Sequence, residues 1–218
     1  MIMPIPAIPF AQFYARFNSP IAEFDCGQLC APNNPSGKPF CCDICQAVPA
    51  AYRQEWDYLR GNTDLWHLWQ ADECAQPARN PTVEAEGLPE NMLLLACLGP
   101  DRCQRGFRAL SCRQFPFFPF VTEDYRFIGL AYYWEYEKVC WVTQHLESVS
   151  STYRREFVSA FDELFNHWPD ELTSYVDLSL EMCEVFQARR RRVPILHRNG
   201  GFYLLSPASQ RLRRVNKS

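Results

Sequence analysis

The sequence predicts an α+β fold that is mostly helical, with long irregular cysteine-rich loops, a short central strand region and a C-terminal β-hairpin. Three observations carry this expectation. Tyr153, Phe157, Phe161, Leu164, Phe165 and Trp168 recur at three- and four-residue intervals and make one apolar stripe on a helix. The segment 125–136, Tyr-Arg-Phe-Ile-Gly-Leu-Ala-Tyr-Tyr-Trp-Glu-Tyr, favours a strand over a helix on its aromatic content. Val193 to His197 and Phe202 to Leu205 flank Arg198-Asn-Gly-Gly201, a hairpin signal.

In chain order, residues 1–25 form a proline-interrupted lead-in with a short aromatic segment from Phe10 to Phe17. Residues 26–45 hold five cysteines around the insert Ala31-Pro-Asn-Asn-Pro-Ser-Gly-Lys-Pro39, whose turn residues argue against regular structure. Tyr52, Trp56 and Leu59 share a helix face between Pro49 and about Arg60, and Gly61 is placed as its C-terminal stop. Pro77, Pro81, Gly87 and Pro89 make 71–91 a loop. The run from Leu93 carries three more cysteines and ends in Phe115-Pro-Phe-Phe-Pro-Phe120, read as a plug of core beside a metal loop. Pro169 closes the striped helix and opens a second at its first position, which runs to Arg189–Arg192, where cations complement the helix dipole. With no internal repeat and no low-complexity linker, residues 1–218 read as one domain. It divides into a cysteine-cluster region, 24–142, and a helical pair plus hairpin, 143–218.

Composition narrows the function. The chain has 218 residues, 47% apolar and 22% charged, enough to bury a substantial core. Its net charge of −3 offers no field for nucleic acid. The longest apolar run, Met92 to Leu98, falls far short of the roughly 20 residues of a membrane helix, so no membrane partner is expected. The opening segment has no basic residue, and Pro4, Pro6 and Pro9 interrupt it, unlike an export leader; the expected location is cytoplasmic.

Eleven cysteines then require a reason, because clustered cysteines in a reducing compartment more often bind metal or do redox chemistry than form disulfides. They fall into two groups. Cys26-x3-Cys30 is followed after ten residues by Cys41-Cys42, with Cys45 close behind. Cys97-x5-Cys103-x8-Cys112 is followed by Cys140. Cys74 and Cys183 stand apart and read as small buried hydrophobes. Short spacings bring thiolates to one ion at ~2.3 Å with little ordering cost, and thiolate softness selects zinc or an iron–sulfur cluster over Mg²⁺ or Ca²⁺. Eight thiolates fill two four-cysteine sites or one larger cluster, and the adjacent Cys41 and Cys42 either serve two sites or one of them only packs. Cys42-x2-Cys45 has zinc-knuckle spacing, which makes Cys45 a rival to Cys140 for the eighth position. Arg102, Arg105, Arg108 and Arg113 surround Cys103 and Cys112 in sequence and would offset thiolate charge.

The order Cys26, Cys30, Cys41-Cys42, Cys97, Cys103 and Cys112-Arg113-Gln114-Phe115-Pro116-Phe117 resembles the YkgJ-type cysteine-cluster family, over roughly residues 24–142. That family is described as a zinc- or iron-chelating domain with eight cysteines and is similar to part of flagellin lysine-N-methylases. The resemblance implies Cys26, Cys30, Cys41, Cys42, Cys97, Cys103, Cys112 and Cys140 as the metal ligands. This chain departs from the family in the ten residues between Cys30 and the Cys-Cys pair, where the family's interval is short.

Other chemistries lack their motifs. Radical-SAM spacing fails at Asn33 and Val48, and there is no dinucleotide fingerprint, P-loop, zincin helix or nucleophile elbow. His67, His145, His167 and His197 form no ligand-like pair, and the adjacent carboxylates at 72–73, 123–124 and 162–163 point different ways on any regular element. Three readings follow. The first is a zinc or iron–sulfur protein, structural or electron-carrying. The second is a metal-dependent modifying enzyme, protein lysine methylase-like by resemblance. The third is an interaction module whose zinc holds long loops while Phe115–Phe120 and 125–136 meet an unidentified protein partner.

Overall fold

A computed structural model describes residues 7–74 and 88–215, and the loop expected at 71–91 lies mostly outside that range. The fold is α+β. Helices α1 (Phe10–Arg16) and α2 (Gly27–Cys30) precede β1 (Ala50–Tyr52), α3 (Arg53–Asn62), β2 (Trp66–Leu68) and β3 (Met92–Cys97). Then come α4 (Leu110–Gln114), β4 (Phe117–Val121), β5 (Phe127–Tyr132), α5 (Trp141–Gln144), α6 (Ser151–His167), α7 (Glu171–Ala188), β6 (Val193–His197), β7 (Phe202–Leu205) and β8 (Leu212–Val215).

Two antiparallel sheets frame the molecule: a small one in the order β1-β3-β2 and a meander in the order β4-β5-β6-β7-β8. The hairpin signal at 198–201 is realised as the β6–β7 turn, with Gly200 and Gly201 at positive φ. Strand β8 extends it to three strands. Strand β5 crosses β6 closely enough that a Cβ on Gly129 would lie 2.3 Å from the Leu196 carbonyl oxygen, which is why a glycine interrupts this aromatic strand.

The Phe-Pro-Phe-Phe-Pro-Phe run is the edge strand β4, a position where Pro119 costs no ladder bond. Helix α7 covers that edge: the Ser179 hydroxyl accepts from the Val121 N–H at 3.0 Å and donates to the Tyr175 carbonyl at 2.6 Å. Phe117, Phe118 and Phe120 are fully buried, as is the whole of β5. Most of the aromatic side chains that the third reading offers as a contact surface are thus core, while Tyr125 is exposed and Phe115, Tyr133 and Tyr136 are half-buried.

Helix α6 follows the predicted stripe and is capped by Ser150, whose Oγ accepts from Tyr153 N at 3.1 Å. Its Phe157, Phe161 and Leu164 enter the core completely. Two boundaries differ from expectation. Helix α3 runs through Gly61 to Asn62 and ends at Thr63, since nothing crowds Gly61 and its helical hydrogen bonds continue. Helix α7 starts at Glu171, and Pro169 lies before the Asp170 cap rather than at the first helical position. The basic block after α7 is partly tied down: Arg189 and Arg191 both reach Glu137, Arg191 at 2.6 Å.

One apolar cluster runs from Ile8 to Leu205 and includes residues from both sheets and α6 and α7. The 143–218 part is therefore built into the core rather than appended to it. The Tyr153 hydroxyl donates to the carbonyls of Arg113 and Gln114 at 3.0 Å, so α6 directly supports the short helix carrying Cys112.

Candidate functional site: the cysteine loops

The candidate cysteines sit in or beside short elements rather than within long ones. Cys26 caps α2 and Cys30 ends it, one turn apart and hence on one face. Cys41 and Cys42 lie in a 3₁₀ turn, Phe40–Cys42. Cys97 ends β3, Cys103 follows a 3₁₀ turn at Pro100–Arg102, Cys112 lies in α4 and Cys140 caps α5. Such positions leave the side chain free to turn inward without breaking a ladder.

The insert before Cys41 is ordered around one carboxylate. Asp43 accepts from Ser36 Oγ at 2.7 Å, Asn34 Nδ2 at 3.0 Å and the Cys45 N–H at 3.0 Å. Burial opposes the charge of Asp43, but these bonds, with Lys38 nearby, hold its carboxyl below the usual range. Contrary to expectation, the insert also contains regular structure, a 3₁₀ turn at Ala31–Asn33. Its role is to fix the Cys41-Cys42 turn.

The thiols gather in two sets. Cys26, Cys30, Cys41 and Cys140 all border one cavity of about 30 Å³, closed by Phe115, Pro116 and Trp141. Burial raises the Cys26 thiol to about 12, with further upward pushes from Cys140 and Cys30, and burial raises Cys140 to about 11. The second set is Cys42, Cys97, Cys103 and Cys112. Burial raises Cys112, and charge on Cys97, Cys42 or Cys103 would raise it further; burial likewise raises Cys97. This set borders a larger cavity of about 430 Å³, which Cys26 and Cys41 also line, with Arg105, Arg108 and Arg113 in its wall. Cys41 and Cys42, with sulfurs 3.8 Å apart, join the two sets across one peptide bond. No histidine borders either cavity. Among the described residues, no group of three or more Cys, His, Asp and Glu side chains is arranged to hold a metal ion. The two sets are gatherings of thiols rather than finished coordination spheres.

The four arginines separate by role. Arg108 Nε donates to the Cys103 sulfur at 3.1 Å, the charge-offsetting contact expected from sequence. Arg105 Nε instead donates to the Asn18 carbonyl, and Arg102 is exposed. Arg113 is turned away from the thiols and spends its donors on carbonyls of 14, 17, 105, 106 and 108.

Two expectations about lone cysteines need correction. Cys45 and Cys74 form a disulfide, so Cys74 is not an isolated packing residue and Cys45 holds no free thiol to rival Cys140. The partner lies 29 residues away in sequence, a pairing no local spacing could disclose. Cys183 is a buried free thiol in α7, as expected.

Cys42 differs from its neighbours. The Cys41 S–H lowers its thiol to about 7, assisted by the Arg108 charge against the opposing effect of burial. A lowered value places the thiolate above pH 7 and removes it below. In metal-free protein at pH 7.5, iodoacetamide is therefore expected to alkylate one thiol about tenfold faster than the rest. Cys42→Ser should abolish that fast phase, and mass mapping that placed it on another cysteine would refute the assignment.

In comparisons with known proteins, no family model, no curated protein and no solved structure matches the chain.

Proposed function

We propose that this chain is a thiolate metal-binding protein with two four-cysteine centres, Cys26–Cys30–Cys41–Cys140 and Cys42–Cys97–Cys103–Cys112. The observation that carries the reading is the cavity of about 30 Å³ bordered by four thiols and otherwise by apolar side chains. That volume suits a single ion and its donor set is purely sulfur, the chemistry that selects zinc. The second set has space beside it for a larger iron–sulfur cluster and an arginine already against one sulfur. The resemblance to the YkgJ-type family points the same way.

The thiols do fit such a role chemically, although they do not stand at ligand distances. Buried neutral thiols have no cause to converge until a cation deprotonates them, so loading, proton release and closure of these loops form one coupled event. Among the described residues no helix is long and apolar enough to cross a membrane. We place the chain in the cytoplasm, and Cys45 and Cys74, paired with each other, stand outside both centres. A second reading, a metal-dependent modifying enzyme, is favoured by one observation, a separate organic-sized cavity that shares Cys41 and Cys112 with the thiol sites.

The test is metal analysis after anaerobic purification of the full chain. Close to two thiolate-bound metal equivalents are expected if both centres hold single ions; if the second holds a cluster, one zinc is expected with two or four irons, brown colour and acid-labile sulfide. Protein that retains less than about a tenth of an equivalent, and takes up neither Zn²⁺ nor Fe²⁺ with sulfide on reconstitution, would overturn the proposal.

A further inference from the structure

We infer that the cavity between β1, β3, α4 and α7 is a binding site for an uncharged aromatic small molecule. The cavity measures about 520 Å³, within the range of small-molecule sites. Tyr52, Phe115, Tyr133, Tyr136 and Tyr175 supply five rings to its wall. Two of these rings are braced by one amide, since Gln114 Nε2 donates to the Tyr133 hydroxyl at 3.1 Å and Gln114 Oε1 accepts from Tyr175 at 3.5 Å. A set of rings held in place before a ligand arrives loses little order on binding.

The wall decides the charge of the ligand. Among the described residues, its lining contains no lysine, arginine, histidine or aspartate. The one carboxyl among them, Glu55, is fully buried, and its oxygens are taken by the Tyr14 hydroxyl, the Leu110 N–H and the Tyr52 N–H. A charged molecule here would be desolvated without a partner, which is costly, whereas a neutral ring loses only water.

The site adjoins the thiol sets through Cys41 and Cys112, but the inference rests on the cavity alone and goes beyond the metal reading. The probe is prodan, a neutral naphthalene ketone whose emission shifts to the blue on leaving water, titrated into the full chain with its metal content measured on the same sample. Saturable one-to-one binding is expected with or without metal. Ala50→Trp, which fills the cavity, should weaken it at least tenfold, and Met92→Trp replaces it if circular dichroism shows that variant unfolded. Absence of saturable binding, or binding unaltered by a folded filling variant, overturns the inference. So does displacement of prodan by butyltrimethylammonium at lower concentration than by acetophenone, which would assign the site to a cation. Prodan bound by metal-free protein would leave this site standing even where the metal reading fails.

Discussion

Replacing Cys140 with serine will remove one metal equivalent and leave the other, and replacing Cys103 with serine will do the same for the opposite centre. The expectation comes from the partition of the thiols. Cys140 borders the cavity of about 30 Å³ with Cys26, Cys30 and Cys41; burial keeps the Cys26 and Cys140 thiols neutral without a cation, and the hydrogen bond with Cys42, then burial, does so for Cys41. Three thiolates and a serine hydroxyl hold zinc far less tightly than four, because the hydroxyl does not ionise near neutral pH. Cys103 belongs to the other set, beside Cys42, Cys97 and Cys112, with Arg108 on its sulfur. Inductively coupled plasma analysis of each variant should therefore give about half the wild-type metal, and the double variant almost none. A single replacement that empties both centres would instead mean one shared cluster across Cys41 and Cys42. Loss of metal should also be graded with pH. Cys26, Cys97, Cys112 and Cys140, whose thiols burial raises, each give up a proton on binding metal, so affinity falls as pH drops.

Part of this was legible from the residues alone. The α6 stripe, the α7 helix and the β6–β7 hairpin have strong local signals: a 3.6-residue period, a proline boundary and an Asn-Gly-Gly turn. Strand β4 gave none, because two prolines in a six-residue Phe run resemble a loop until a sheet edge and a covering helix make them acceptable. The small sheet was hidden for a different reason. β1 and β2 have only three residues each, too few for alternation to register, and both pair with β3 across long intervals. The eight candidate cysteines stand out by their spacing. Their partition does not, since Cys140 reaches Cys26 and Cys30 only through the packing of α5 beside α2. Nor does the separation of the arginines, whose sequence neighbourhood is the same while Arg108 faces sulfur and Arg113 faces carbonyl oxygen.

Arg113→Met is expected to destabilise the fold by about 3–5 kcal/mol and to lower its melting temperature by on the order of 10 °C. The side chain is buried, and its guanidinium donates to Arg108 O at 2.7 Å, Gly106 O at 2.8 Å, Arg105 O and Tyr14 O at 3.2 Å, and also to Phe17 O. It lies 4.1 Å from the centre of the Tyr14 ring, whose hydroxyl in turn binds Glu55. One planar group thus ties α1 and the residues after it to the 105–108 turn, the segment that positions Cys103 and Arg108. Methionine fills similar volume but leaves five carbonyl oxygens without a donor, each costing about 1–3 kcal/mol where water cannot reach it. Arg113→Lys keeps the charge and still loses the planar fork, so most of the loss should remain. This comparison separates two roles. If Arg113 served mainly to offset thiolate charge, lysine would restore both stability and metal retention. If it is a tie between backbone segments, lysine fails in the melt as methionine does, while Arg108→Lys leaves the melting temperature within about 2 °C and acts instead on the second centre, which loses a donor to Cys103. A chemical denaturation series in which Arg113→Lys matches wild type would remove the tie as an explanation.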